Sequence, residues 1–118
     1  MLPLPRQIQM ASDGAKGAAA RLAGVEIPSM ADTETTFPEL QARIEKTIAF
    51  LKSLDRAAFE GADAREIVMK VGPQEWKMSG QQFLTTFALP NFFFHVTTAY
   101  AILRHNGVEI GKRDFLGG

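Results

Sequence analysis

Apolar residues recur at steps of three and four along the start of the chain: Leu4, Ile8, Ala11, Ala15, Ala18, Leu22 and Val25. That spacing marks one helical face and predicts a helix A over about residues 4–23, with Gly24 as its stop. Gly14 and Gly17 flank the face. Each costs up to ~1 kcal/mol relative to alanine in a helix, so a closely approaching neighbour is expected there. Thr36-Phe37-Pro38-Glu39 has the form of a capping box and opens a helix B over about 37–54. Its expected buried stripe is Phe37, Leu40, Ile44, Ile48, Leu51 and Leu54, with Arg43, Glu45, Lys46 and Lys52 facing water. Between Ala64 and Ser79 the period drops to two. Ile67, Met69 and Val71, a Gly72-Pro73 turn, then Trp76 and Met78 predict a β-hairpin over about 65–78. An isolated ribbon is marginal, so Trp76 is expected to anchor it to the helices.

Helix C is predicted over about 80–106, with Ser79 and Gln82 as a second capping box and Asn106-Gly107 as the stop. Pro90 lies in its interior and predicts a kink. Its sequence is apolar on nearly every side: Phe83, Phe87, Phe92, Phe93, Phe94, Val96, Tyr100 and Leu103 cover the circumference. A helix of that kind has to be buried all round. Two companion helices cover only part of it, so a homodimer is expected, with helices of two chains packed together. The tail, 107–118, is expected to be extended and partly ordered through Val108, Ile110 and Phe115.

Composition narrows the function classes. Thirteen basic residues balance thirteen acidic ones, which gives no field favouring nucleic acid or a membrane surface. The lack of cysteine excludes disulfides, thiolate nucleophiles and thiolate metal sites, and fits a cytoplasmic location. The first residues lack the basic start and apolar run of a signal peptide, and no segment offers ~18 uninterrupted apolar residues for a membrane span. One domain is expected over 1–118.

The blocks LPRQIQMASDGAKGAAARLAGVEIP, DTETTFPELQARIEKTIAFL and FALPNFFFHVTTAYAILRHNGVEIGKRDFLG together resemble an uncharacterised bacterial domain-of-unknown-function family among the DinB/YfiT-like four-helix bundles. The resemblance implies a mainly α bundle of three long helices with a small hairpin before the last. The fourth helix would be supplied by a partner chain or be absent, since members of the family carry one more helix upstream of the region beginning at Met1. Within the wider superfamily, metal-dependent enzymes hold their ion with three histidines, two of them four residues apart on the last helix. That spacing puts both on one face, within reach of a common ion. Carried onto this chain, the last-helix pair falls on Asn91 and His95; only His95 matches, and helix A has no histidine. His105 lies ten residues on, ~15 Å along the helix and on another side.

Two functional expectations follow. The favoured one is a non-catalytic dimeric bundle with no cofactor, able to hold a small apolar ligand, with Asn91, His95, Thr98, Phe87 and Phe94 as pocket candidates. The alternative is a metal- or thiol-dependent transferase or hydrolase, with His95 as ligand or general base and a carboxylate such as Glu66 or Glu75 assisting. A divalent metal belongs only to that alternative. For the individual residues the structural readings are expected to hold: His95 hydrogen-bonded to Asn91, a carbonyl or water, Thr97 and Thr98 bonded back to the preceding turn, His105 at the helix C-terminus, and Gln7 and Gln9 on the surface. The phenylalanines at 92–94 are read as packing, and Lys112-Arg113-Asp114 as a solvated strap rather than a phosphate clamp.

Overall fold

A computed structural model describes residues 1–118. The chain is mainly helical, with a two-stranded antiparallel hairpin before the last long helix. Helix α1 spans Leu4–Ala23 and ends on Gly24, whose φ of 72° is the left-handed conformation a helix stop requires. Helix α2 spans Phe37–Ser53. Its capping box is formed: Thr36 Oγ1 accepts from Glu39 N–H, while Glu39 accepts from Thr36 N–H at 3.1 Å. Hydrogen bonds from Thr36 and then Thr35 hold the Glu39 carboxyl below its ordinary pKa. A 3₁₀ turn, Arg56–Phe59, leads to β1 (Glu66–Val71) and β2 (Gln74–Ser79), paired Ile67 with Met78 and Met69 with Trp76. Ser79 and Gln82 form the second capping box. Beyond it lie α3 (Gly80–Gln82), a π-helical segment (Phe83–Ala88), α4 (Leu89–His105) and α5 (Lys112–Phe115).

Helix α1 is the centre. Both α2 and α4 pack on it, yet they make little contact with each other. Gly14 allows part of this approach, since a Cβ there would lie 3.3 Å from the Asn91 side-chain nitrogen of α4. Gly17 serves its own helix instead, leaving room for the Arg21 guanidinium that folds back across it. The main apolar cluster lies at the hairpin end: Ile67, Met69, Phe83 and Ala88 are buried together, with Ala18, Leu22, Met78 and Phe87 against them.

Four expectations need correction. Helix α2 is rotated from its predicted stripe. It buries Leu40, Arg43 and Thr47, while Phe37, Ile44 and Ile48 are exposed, because the charged loop before α2 supplies partners for Arg43. Pro90 does not interrupt an α-helical ladder. The backbone widens to a π turn just before it, Leu89 N–H donating to Leu84 C=O, and Pro90 then falls in the first turn of α4, where no amide is needed. Trp76 does not anchor the hairpin: it shares a face with Met69 but lies near the turn and is 40% exposed, so Ile67 and Met69 do the holding. The tail is not simply extended. It forms α5 and returns Phe115 edge-on to Tyr100 of α4.

Candidate functional site

Seven polar or charged residues are buried, and they fall into two groups along α1. The first is built around Arg43 of α2, whose side chain is 3% exposed. Its Nε donates to Ser12 Oγ at 3.1 Å and its Nη2 to Asp13 at 2.7 Å; Nη1 reaches Asp32, Glu34 and the carbonyl of Ala31. Thr47 Oγ1 donates to the Arg43 carbonyl one turn back, and Ser12 and Thr47 share a hydrogen bond of 2.7 Å. Buried Lys16 also pairs with Asp13, and Gln9 donates to Glu34. Burial works against the Arg43 charge, but Glu34, Asp13 and Asp32 outweigh it, and its pKa stands above the ordinary arginine value. One guanidinium thus ties α1, α2 and the 31–34 loop together. Each of its three nitrogens meets an acceptor of this chain, which makes the cluster a brace rather than an open site.

The second group is His95 with Gln7. The Gln7 amide nitrogen donates to Leu2 C=O at 3.0 Å, so its Oε1 is the acceptor that lies 2.7 Å from His95 Nδ1. That assignment puts the imidazole proton on Nδ1. The ring of Phe94 meets the imidazole edge-on, with centroids 5.1 Å apart. Burial lowers the His95 pKa. The sign follows from linkage. The unfolded chain takes up a proton near the ordinary value of about 6.5, while the folded chain resists until lower pH. Stability is therefore undiminished above about 6.5 and falls as pH drops through the window down to the folded pKa. Urea-unfolding midpoints should fall between pH 7.5 and pH 5 more steeply for the native chain than for His95→Gln; equal slopes would show that the imidazole is not responsible.

The pocket candidates do not converge. Asn91 faces Gly14, Phe87 stacks on Phe83, Thr98 is half-buried, and Phe94 is 55% exposed on the outer side of α4. The bonding partner of His95 is Gln7, not Asn91. Gln7 and Gln9, expected at the surface, are 1% and 2% exposed. Their one sequence signal was position: both border the apolar stripe of α1. Glu66 and Glu75 lie on the hairpin, which packs on Phe83 and Ala88.

The open side of the molecule is apolar. A groove of about 310 Å³ has Ile8, Ala11 and Ala15 of α1 as floor, with Ile44, Ile48 and Leu51 of α2 and Phe92, Val96 and Ala99 of α4 as walls. Ser12 and Thr47, already bonded to each other, are its polar members.

A family model described as "Domain of unknown function (DUF1993)" matches residues 1–116. The chain belongs to this family. It is also similar to the crystal structure, at 1.83 Å resolution, of a DinB family member protein from Shewanella denitrificans. The two share 42% sequence identity with a TM-score of 0.92, over 100% of this chain and 67% of that one. No curated protein matches. The resemblance to DinB-like bundles of unknown function read from the sequence is thereby established.

The three-histidine metal set of the wider superfamily does not fit this member. The position four residues before His95 is Asn91, the α1 residue bonded to His95 is the neutral amide of Gln7, and no group of three or more His, Asp or Glu side chains is arranged to hold a metal ion. No helix is long and apolar enough to cross a membrane.

Proposed function

We propose that this DUF1993 member is a non-catalytic helical scaffold that works by association, pairing with a second copy through the outer face of α4. The observation that carries the reading is the exposed apolar surface of that face, with Phe93 and Phe94 on it and Leu89 at its edge. Leu89, Phe93 and Phe94 are 44%, 49% and 55% exposed, and no Asp, Glu, Lys or Arg occurs from Phe83 to Leu103. A charge-free face with large aromatic rings suits an interface core, where charged residues are scarce and aromatics common. A second copy is the occupant because a two-fold contact sets the same face against itself, matching apolar with apolar without needing any further partner. Self-association is favoured over a small apolar ligand because this face is a convex helix surface that encloses nothing. A catalytic reading lacks support, since His95 Nδ1 is engaged with Gln7 and no group of three or more His, Asp or Glu side chains is arranged to hold a metal ion.

Sedimentation of the protein at tens of micromolar should give a dimer. Phe94→Glu should shift it to monomer with an unchanged helical circular-dichroism signal. A native chain that sediments as a monomer throughout that range defeats the proposal.

A further inference from the structure

The face of α1 turned away from the apolar groove carries a charged depression. Asp13 and Gly17 follow the groove-floor residues Ala11 and Ala15 by two positions, about 200° of helix rotation. With Lys16 and Arg21 they line a depression of about 420 Å³, completed by Ile27, Pro28, Ser29 and Met30 of the segment after α1. Its two cations are poorly matched by acceptors. The Lys16 side chain is 5% exposed, and its ion-pair partner, Asp13 Oδ1 at 3.2 Å, is shared with Arg43 at 2.7 Å. Two of the three ammonium protons are thus free for another acceptor. Arg21 is half-buried and has no carboxylate at all. Burial lowers its pKa with nothing to offset the lost water, the reverse of the balance at Arg43.

We infer that this depression binds a small carboxylate with a short aliphatic tail, held by Arg21 and Lys16. The first support is the placement of Arg21. It stands in the last turn of α1, where an arginine ordinarily caps the final carbonyls. Here Arg65 donates to Leu22 C=O instead, and the Arg21 guanidinium turns back over Gly17, the residue next to Lys16. Glycine makes that possible, since a Cβ at position 17 would lie 2.8 Å from Arg21 Nη1. The second support is the charge balance, which selects a monoanion. Arg6, Lys16 and Arg43 are matched in ion pairs by Asp13, Asp32 and Glu34, which leaves Arg21 as the uncompensated charge at the depression. A dianionic phosphate would set a second negative charge beside Asp13 without a counterion. A carboxylate instead matches the planar guanidinium fork, with Lys16 Nζ and the exposed Ser29 hydroxyl as further donors. The third support is the apolar part of the lining. Ile27, Pro28 and Met30 offer contact to a short tail, and the volume lies within the range of about 300–1,000 Å³ usual for small-molecule sites.

The depression and the dimer face use different residues, so the two proposals fail separately. Sodium butyrate is the probe, titrated into the isotope-labelled chain at constant ionic strength while backbone amide shifts are followed by NMR. It should move the amides of Asp13–Arg21 and Ile27–Met30 and saturate with a Kd of about 1 mM. n-Butanol, which has the tail without the charge, and inorganic phosphate should each bind at least ~10-fold more weakly. Arg21→Met keeps the apolar stem and breaks no hydrogen bond, so helicity should stay native while butyrate binding falls ~10-fold or more. Gly17→Ala retains every charge but displaces the guanidinium, and should weaken binding ~5-fold. Should Arg21→Met lose helicity, Gly17→Ala decides alone. Binding that persists in the folded variants, tighter binding of phosphate, or absence of saturation would overturn the inference. So would shifts centred on the groove between α2 and α4, or a response that chloride removes as readily as it removes phosphate's, which would mark an adventitious ion only.

Discussion

Gly80→Ala should remove about 3 kcal/mol or more of stability, the largest effect expected from adding a single methyl group to this chain. The position does not need glycine for a left-handed backbone; it needs the space. A Cβ there would sit 1.7 Å from the carbonyl oxygen of Ala62 and 2.8 Å from its carbonyl carbon. Those are backbone atoms, so no rotamer change can move them aside. They are also fastened, because Gly80 N–H donates to Arg65 C=O at 2.8 Å and Gln81 N–H to Asp63 C=O at 3.0 Å. To admit the methyl, the 62–65 segment has to lift off the start of α3 and release both bonds. Urea unfolding is the measurement; a loss below about 1 kcal/mol would mean that the segment yields easily. Domains of this size hold only about 5–15 kcal/mol in all, so the substitution would threaten folding at growth temperature.

Arg43→Met ranks second. Methionine fills much of the space but leaves Ser12, Asp13, Asp32, Glu34 and the Ala31 carbonyl without their common donor. Breaking a fully buried ion pair costs about 3–5 kcal/mol. Here Asp13 and Asp32 are 41% and 42% exposed and can turn to water, so about 2–3 kcal/mol is the expected loss. Arg43→Lys should recover only part, because an ammonium cannot reach both helices and the loop with a planar fork. Hydrogen exchange should show the change first at residues 31–36, which the guanidinium holds to the helices. Unchanged protection there, with native stability, would show that the loop is held by other contacts.

What the sequence revealed depended on how local each cause is. Both capping boxes lie within four consecutive residues, and the hairpin announces itself by a change of period and a Gly-Pro turn. These were legible, as were the start of α1 and the family resemblance. The inward face of α2 was not. Reading hydrophobicity alone selects Ile44 and Ile48, which line the open apolar groove between α2 and α4, and sends Arg43 to solvent. The partners that bring Arg43 inside come from α1 and from a loop nine to twelve residues upstream, which no periodicity encodes. The surviving clue was the acidic pair Asp32 and Glu34 just before a helix containing a lone arginine, with Ser12 and Asp13 on the preceding one. Gln7 was missed for the same reason: its partner is 88 positions away.

The widened turn at Phe83–Ala88 has a consequence far from itself. In an unbroken α-helix, Phe83 and Phe94, eleven residues apart, would point nearly the same way, since eleven steps of ~100° make just over three full revolutions. The π turn spends one extra residue, so the direction of Phe83 is inherited by the residue twelve places on. Phe83 and His95 are accordingly buried, at 1% and 6% exposure, while Phe94 looks outward. A single additional residue in one loop of the spiral decides which of two adjacent rings enters the protein. Any change at Leu84 to Phe87 that tightened this winding would exchange them, sending the imidazole out and the phenyl in without altering either side chain.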